Sequence, residues 1–261
     1  MKKIIATCLF TLFLVSSLFA QSNTQTNFTI APPPLGYPEF PEEGSVSNKI
    51  DFLYASVQGK DFSLHGMFLG WVPRYGNDLV AIEGLLGMSV MNGDITTPYG
   101  SQSLTFIGMH MAPAIELPIY NSKDFKFIMF GGYDFNLTRT SFTTTDPYSS
   151  GTMTWYLDTS LYGPLLGFQM HFGFADTFIF SPFFPFFMMK SISGTVDVST
   201  DPAYVSMQQS YDIPSYTVTT YGFDIIETES GVSLSGILDM AQKTEENSDV
   251  KTYKFSISMK I

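Results

Sequence analysis

The chain has 261 residues, enough for one sizeable domain, and is 44% hydrophobic, 16% aromatic and only 14% charged. Its 24 acidic against 13 basic residues give a net charge of −11, which argues against nucleic acid as a partner, because a polyanion is held by clustered Lys and Arg. The only cysteine is Cys8, so the rest of the chain offers no disulfide, no thiolate nucleophile and no thiolate metal ligand.

The first predicted element is a leader. Lys2 and Lys3 precede an apolar run from Ile4 to about Val15, and small residues follow up to Ala20. That is the layout of a secretory signal peptide. The run is short for a spanning helix and lacks a cationic flank on its far side, so residues 1–20 read as an export signal cleaved near Ala20. Removing Lys2 and Lys3 leaves 11 − 24 = −13. Residues 21–47 follow, with Pro32, Pro33, Pro34, Pro38 and Pro41 beside Glu39, Glu42 and Glu43. Such a stretch favours extended, polyproline-like backbone without a core of its own.

From residue 48 onward the pattern is that of strands. No uncharged apolar stretch is long enough for a spanning helix; the greasiest, "FIFSPFFPFFMM" at 178–189, carries Pro182 and Pro185. Alternation predicts ten strands, near 48–58, 61–72, 79–91, 102–119, 124–137, 153–173, 177–193, 215–228, 231–241 and 250–261. Several exceed the 9–11 residues a bilayer-crossing strand needs. Connections alternate in length. "PRYGND", "YNSKD", "GFAD" and "TES" are short, whereas "NGDITTPYGS", "TRTSFTTTDPYSSG", "SGTVDVSTDPAYVSMQQSYDIP" and "QKTEENSD" are longer, and only "GKD" breaks the rule.

The two faces of each strand differ in kind. Strand four sets Met109, Met111, Pro113, Ile115, Leu117 and Ile119 against His110, Ala112, Ala114 and Glu116; strand five sets Phe125, Phe127, Met129, Tyr133, Phe135 and Leu137 against Lys126, Asp134 and Asn136. Charge in hydrocarbon is costly, so the apolar set should face lipid and the polar set a lumen. Trp71, Tyr75, Tyr99, Tyr120, Trp155, Tyr162 and Tyr216 fall near strand ends, where interfacial girdles would sit.

Residues 48–261 resemble the small outer-membrane β-barrel proteins of bacteria, on the leader, the alternating strands and the last strand "YKFSISMKI". The resemblance implies an all-β, antiparallel up-and-down transmembrane barrel of ten strands, with eight or twelve as the neighbouring counts. It implies the outer membrane of a Gram-negative-type bacterium as location, with membrane lipid and the barrel-assembly machinery as partners. In that class the last strand is the assembly signal; here it carries Tyr253, Phe255, Ile257, Met259 and Ile261 and ends in Ile rather than an aromatic residue. With an even strand count, the segment 21–47 starts in the periplasm as a tail, the alternative being a plug folded into the lumen.

Candidate chemistry is sparse. His65, His110 and His171 are all read as lumen-facing but at different depths, and Ser63 and His65 share a face without an evident acid. Neither GxSxG nor HExxH occurs, and the acidic loops lack calcium-loop spacing, so neither a catalytic residue, a metal site nor a cofactor is assigned. The inward charges of both signs include Glu83, Glu116, Lys126, Asp134, Lys190, Asp224, Asp239, Lys254 and Lys260. If odd strands run upward from the periplasm, Glu116, Lys126 and His171 meet at the lower end with Lys260 approaching from the seam, and they are expected to form one charged cluster there. Ten strands give an interior far narrower than an open porin. The leading reading is a barrel acting in surface interaction or envelope structure, with 138–152 and 194–214 as candidate surfaces for external ligands. A narrow channel for small solutes and a lumen or rim hydrolase are the alternatives.

Overall fold

The computed structural model describes residues 31–32, 45–59, 62–77, 79–97, 100–122, 124–145, 152–174, 178–180, 186–200, 208–227, 229–241 and 250–261. The strands are β1 (Val46–Gln58), β2 (Phe62–Gly76), β3 (Ala81–Thr97), β4 (Gly100–Asn121), β5 (Phe125–Thr145), β6 (Thr152–Phe174), β7 (Phe178–Phe180), β8 (Phe186–Thr200), β9 (Gln208–Glu227), β10 (Val232–Ala241) and β11 (Lys251–Lys260). Each pairs antiparallel with its neighbours, and β11 returns to pair with β1. Both β7 and β8 pair with β6 on one side and β9 on the other, so they share one strand position. Ten positions therefore close a barrel without a free edge, the condition for a sheet in hydrocarbon.

Alternation decides which way each strand faces. In β11, Thr252, Lys254, Ser256 and Ser258 are buried inside, while Tyr253, Phe255, Ile257 and Met259 are exposed outside. The outward apolar set has a sharp upper limit. Going up each strand, Tyr54 gives way to Ser56 and Gln58, Met67 to His65 and Ser63, Val90 to Asn92 and Asp94, Ile107 to Thr105 and Ser103, and Leu137 to Arg139. On β4 the apolar outward residues run from Ile107 to Ile119. Twelve steps of about 3.4 Å, tilted by about 40°, span roughly 31 Å, close to a hydrocarbon core.

The walls differ in height. β10 and β11 have 10 residues each, whereas β4 has 22 and β6 has 23. The long strands rise above the apolar band, and there the two faces exchange character. Outside, Ser103 Oγ donates to Asp94 Oδ1 (2.7 Å), Thr105 Oγ1 donates to Asn92 Oδ1 (2.9 Å), and Arg139 makes two 2.7 Å bonds to the Asp158 carboxylate. Inside, Phe142, Trp155, Val196 and Val198 pack with Leu104 and Ile213. Water wets the outer face at this height, so apolar side chains turn inward.

Tight turns close the lower end. Asn77 Oδ1 accepts from the N–H groups of Leu79 and Val80, Ser122 Oγ accepts from Phe125 N–H, and the Glu227 carboxylate accepts from Glu229 and Ser230. Gly231 then takes φ of +65°, a left-handed backbone that favours glycine.

Several expectations change. The stretches 138–152 and 194–214, read as loops, are mostly strand: β5 reaches Thr145, β8 reaches Thr200 and β9 begins at Gln208. The Thr, Val and Tyr residues of the parts that form strand suit a pleated sheet. The expected strand 177–193 is broken between β7 and β8: Phe180 pairs with Phe172 and Phe186 with Gln169, so six steps along one chain face three on the other. Pro182 and Pro185 lie in the gap and cannot donate to the ladder. His65 faces outward, because it shares parity with Met67 and Leu69. Trp155 and Tyr216 are inside the barrel rather than in a girdle; Tyr99 and residues 1–30 and 33–44 lie outside the described residues.

Candidate functional site

The interior is where the chain departs most from a plain sheet. Its lower tier is built on β2, β3 and β4. Arg74 stands directly across from Glu83, and Glu116 across from Ala81 on the next ladder. The Arg74 guanidinium pairs with Glu116 Oε2, both side chains sealed from solvent, and Glu83 hydrogen-bonds to Glu116. On β1, Lys49 Nζ lies 3.4 Å from buried Asp51, and Asp224 on β9 takes a hydrogen bond from Ser235.

The middle tier joins six strands, β4, β5, β8, β9, β10 and β11. Lys190 Nζ donates to Asp134 Oδ2 (2.9 Å), and His110 Nε2 is 3.1 Å from Asp134 Oδ1. Across the lumen, Lys254 pairs with Asp239, whose Oδ1 also accepts from Thr220 Oγ1 (2.8 Å). Lys254 Nζ also donates to the backbone carbonyl of Ala31 at 2.8 Å. Ala31 and Pro32 are buried, and Ala31 packs with the inward apolar cluster of Leu53, Val57, Leu64, Phe68 and Leu85. These two residues, expected in a periplasmic tail, are therefore inside the barrel. A lysine with two acceptors and an apolar wall hold them there. The third tier is the apolar layer around Phe142 and Trp155, whose rings stack at 6.3 Å. The lumen is thus mixed rather than polar throughout. Among the described residues, no group of three or more His, Cys, Asp or Glu is placed to hold a metal ion.

The four residues expected to cluster are placed as follows. Lys126 is the direct cross-strand partner of His171, and Lys126 and Arg74 both act on that imidazole electrostatically. Glu116 sits across from Phe130, with Arg74 as its ion-pair partner. Lys260 is exposed at the lower rim, across from Lys49. Sequence reasoning missed Arg74 because "PRYGND" reads as a turn. The even-numbered series Phe68, Gly70, Val72, Arg74 was the available signal. The last-strand residues Tyr253, Phe255, Ile257 and Met259 form an outward ridge at the seam between β10 and β1.

A closed ring of antiparallel strands with an outward apolar band defines the outer-membrane β-barrel fold. The chain is similar to the outer membrane protease OmpT from Escherichia coli, with a TM-score of 0.54 at 9% identity, covering 86% of this chain and 98% of that one. It is also similar to the translocator domain of autotransporter NalP from Neisseria meningitidis, with a TM-score of 0.50 at 8% identity, covering 98% of each chain. At such identities the likeness is one of fold. No protein-family model and no curated protein matches the chain.

Proposed function

We propose that the protein works in a bacterial outer membrane as a closed barrel that presents its tall outer wall to surface partners or supports the envelope, rather than as a conduit. It arrives by export under the signal at residues 1–20, and the barrel-assembly machinery reads the outward ridge of Tyr253, Phe255, Ile257, Met259 and Ile261. The carrying observation is the filled lumen: the Arg74–Glu83–Glu116 group below, the Lys254–Asp239 pair gripping Ala31 in the middle, and Phe142 with Trp155 above. Buried charges in a narrow interior are retained when they are paired, and paired charges leave little room for a water column. The working surface is then the part of the long strands β3 to β6, β8 and β9 above the apolar band.

Planar-bilayer recording tests this reading. The purified full-length protein should give no stable channel. A stable, large conductance would replace the reading with a narrow channel for small solutes.

A further inference from the structure

The outer face carries an arrangement that the closed lumen does not explain. Tyr54 Oη lies 3.1 Å from His65 Nδ1, with the two rings nearly parallel at 11° and 6.3 Å apart. Ser63 Oγ lies 3.4 Å from the other ring nitrogen, Nε2. Both nitrogens of one imidazole are therefore occupied, one by a phenol and one by a primary hydroxyl. The tyrosine comes from β1 and the other two from β2. All three project outward, and Ser63 and His65 are exposed. Register adds polar neighbours: Gln58 stands directly across from Ser63 on one side and Asp94 on the other, while Ser56 and Asn92 flank His65.

We propose that Ser63, His65 and Tyr54 form a site that hydrolyses acyl esters of membrane lipid. The chemistry follows from the order of the groups. With Nδ1–H donated to the Tyr54 oxygen, Nε2 is free to accept the Ser63 proton. Ser63 Oγ attacks the ester carbonyl carbon, and its proton passes to Nε2. The tetrahedral intermediate collapses by releasing the alcohol portion of the lipid, which takes that proton from Nε2. Water then attacks the acyl-serine carbonyl, giving its proton to Nε2, and the fatty acid leaves as Ser63 Oγ recovers the proton. The side-chain amide of Gln58 supplies a hydrogen-bond donor across from Ser63 for the developing oxyanion. Tyr54 touches neither substrate nor reacting atoms and acts as a positioning residue for the imidazole.

Location selects the substrate class. The site lies at the upper limit of the apolar band, with Phe52, Met67, Leu69 and Val90 below it and Ser56, Gln58, Asn92 and Asp94 level with or above it. A membrane lipid lying against this wall would place its chains on the lower group. Its ester carbonyls fall at the depth where hydrocarbon meets head group, level with Ser63. A water-soluble ester has no such reason to be held here. The proposal concerns the outer face and does not depend on whether the lumen conducts.

The test uses the full-length protein in mixed micelles of dioleoylphosphatidylethanolamine and nonionic detergent, with heat-modifiable gel mobility confirming that each variant is folded. Fatty acid should be released, and a fluorophosphonate should label Ser63 covalently. Ser63→Ala and His65→Gln should each lower release by at least about 100-fold, and Ser63→Ala should abolish labelling. Ser56→Ala, an outward hydroxyl across from His65 but outside the line, should match the native rate. Tyr54→Phe should lower kcat with KM nearly unchanged. Absence of release by the folded native protein, or release and labelling that persist in Ser63→Ala, would overturn the proposal.

Discussion

Removing Arg74 while keeping its carboxylate partners probes the lower tier directly. The Arg74 side chain is 0% exposed and that of Glu116 is 1%, so neither charge can be rescued by water. At about 3 Å and an effective dielectric near 20, the attraction is about 5 kcal/mol before desolvation is deducted. Breaking a buried pair by deleting one member costs about 3–5 kcal/mol, because the other charge is left uncompensated. Glu83, hydrogen-bonded to the same Glu116, brings no positive charge to replace the guanidinium. Arg74→Met keeps most of the side-chain volume, so it isolates the charge effect from a cavity effect. We expect Arg74→Met to lose about 3–5 kcal/mol, and adding Glu116→Gln to restore about 1–3 kcal/mol of that loss. The assay is urea titration of protein folded in phospholipid vesicles, followed by the fluorescence of Trp71 and Trp155. A loss below about 1 kcal/mol, or strict additivity in the double mutant, would refute the ion pair as the organiser of this tier.

Three other outcomes follow from the faces and the turns. Ile257→Arg puts a charge on the outward face between Leu234 and Phe52 and should cost about 2–4 kcal/mol of membrane folding; a fully folded yield equal to that of Ile257→Leu would mean that this face does not meet lipid. An epitope inserted in the 201–207 connection should bind antibody on intact cells, whereas one in 175–177 should bind only after lysis, and the reverse pattern would invert the topology. Gly231→Ala should cost about 1–2 kcal/mol, since its φ is +65° and the new Cβ would come 2.5 Å from Lys260 Cβ; an unchanged urea midpoint would show that the turn tolerates a side chain.

The barrel was legible because bilayer and lumen impose opposite demands on alternate residues. "YKFSISMKI" states both without interruption, and every one of its faces is oriented as the alternation requires. Two things were hidden. Above the bilayer the outer face meets water, so the same parity carries the opposite chemistry. Trp155, apolar but inward, and His65, polar but outward, were both assigned by chemistry when position was the deciding fact. Arg74 and Ala31 were hidden for a different reason. One sits in a segment with turn composition and the other in a proline-rich stretch, and only the pairing of distant strands brings Glu116 and Lys254 to them. The line of Ser63, His65 and Tyr54 likewise needs the β1–β2 register before its third member becomes visible.

The account rests on one claim above all: β4 crosses lipid with one face in hydrocarbon and the other in a filled interior. Single cysteines at each position from 107 to 119, introduced together with Cys8→Ser, measure this directly, with a lipid-soluble nitroxide quencher and a water-soluble maleimide as paired probes. The odd positions should be quenched from lipid. The even positions 110, 112, 114 and 116 should be reached by neither probe, in keeping with the burial of His110, Ala112, Ala114 and Glu116. Rapid maleimide labelling at the even positions would show an open water-filled lumen, and lipid quenching without a period of two would contradict the barrel itself.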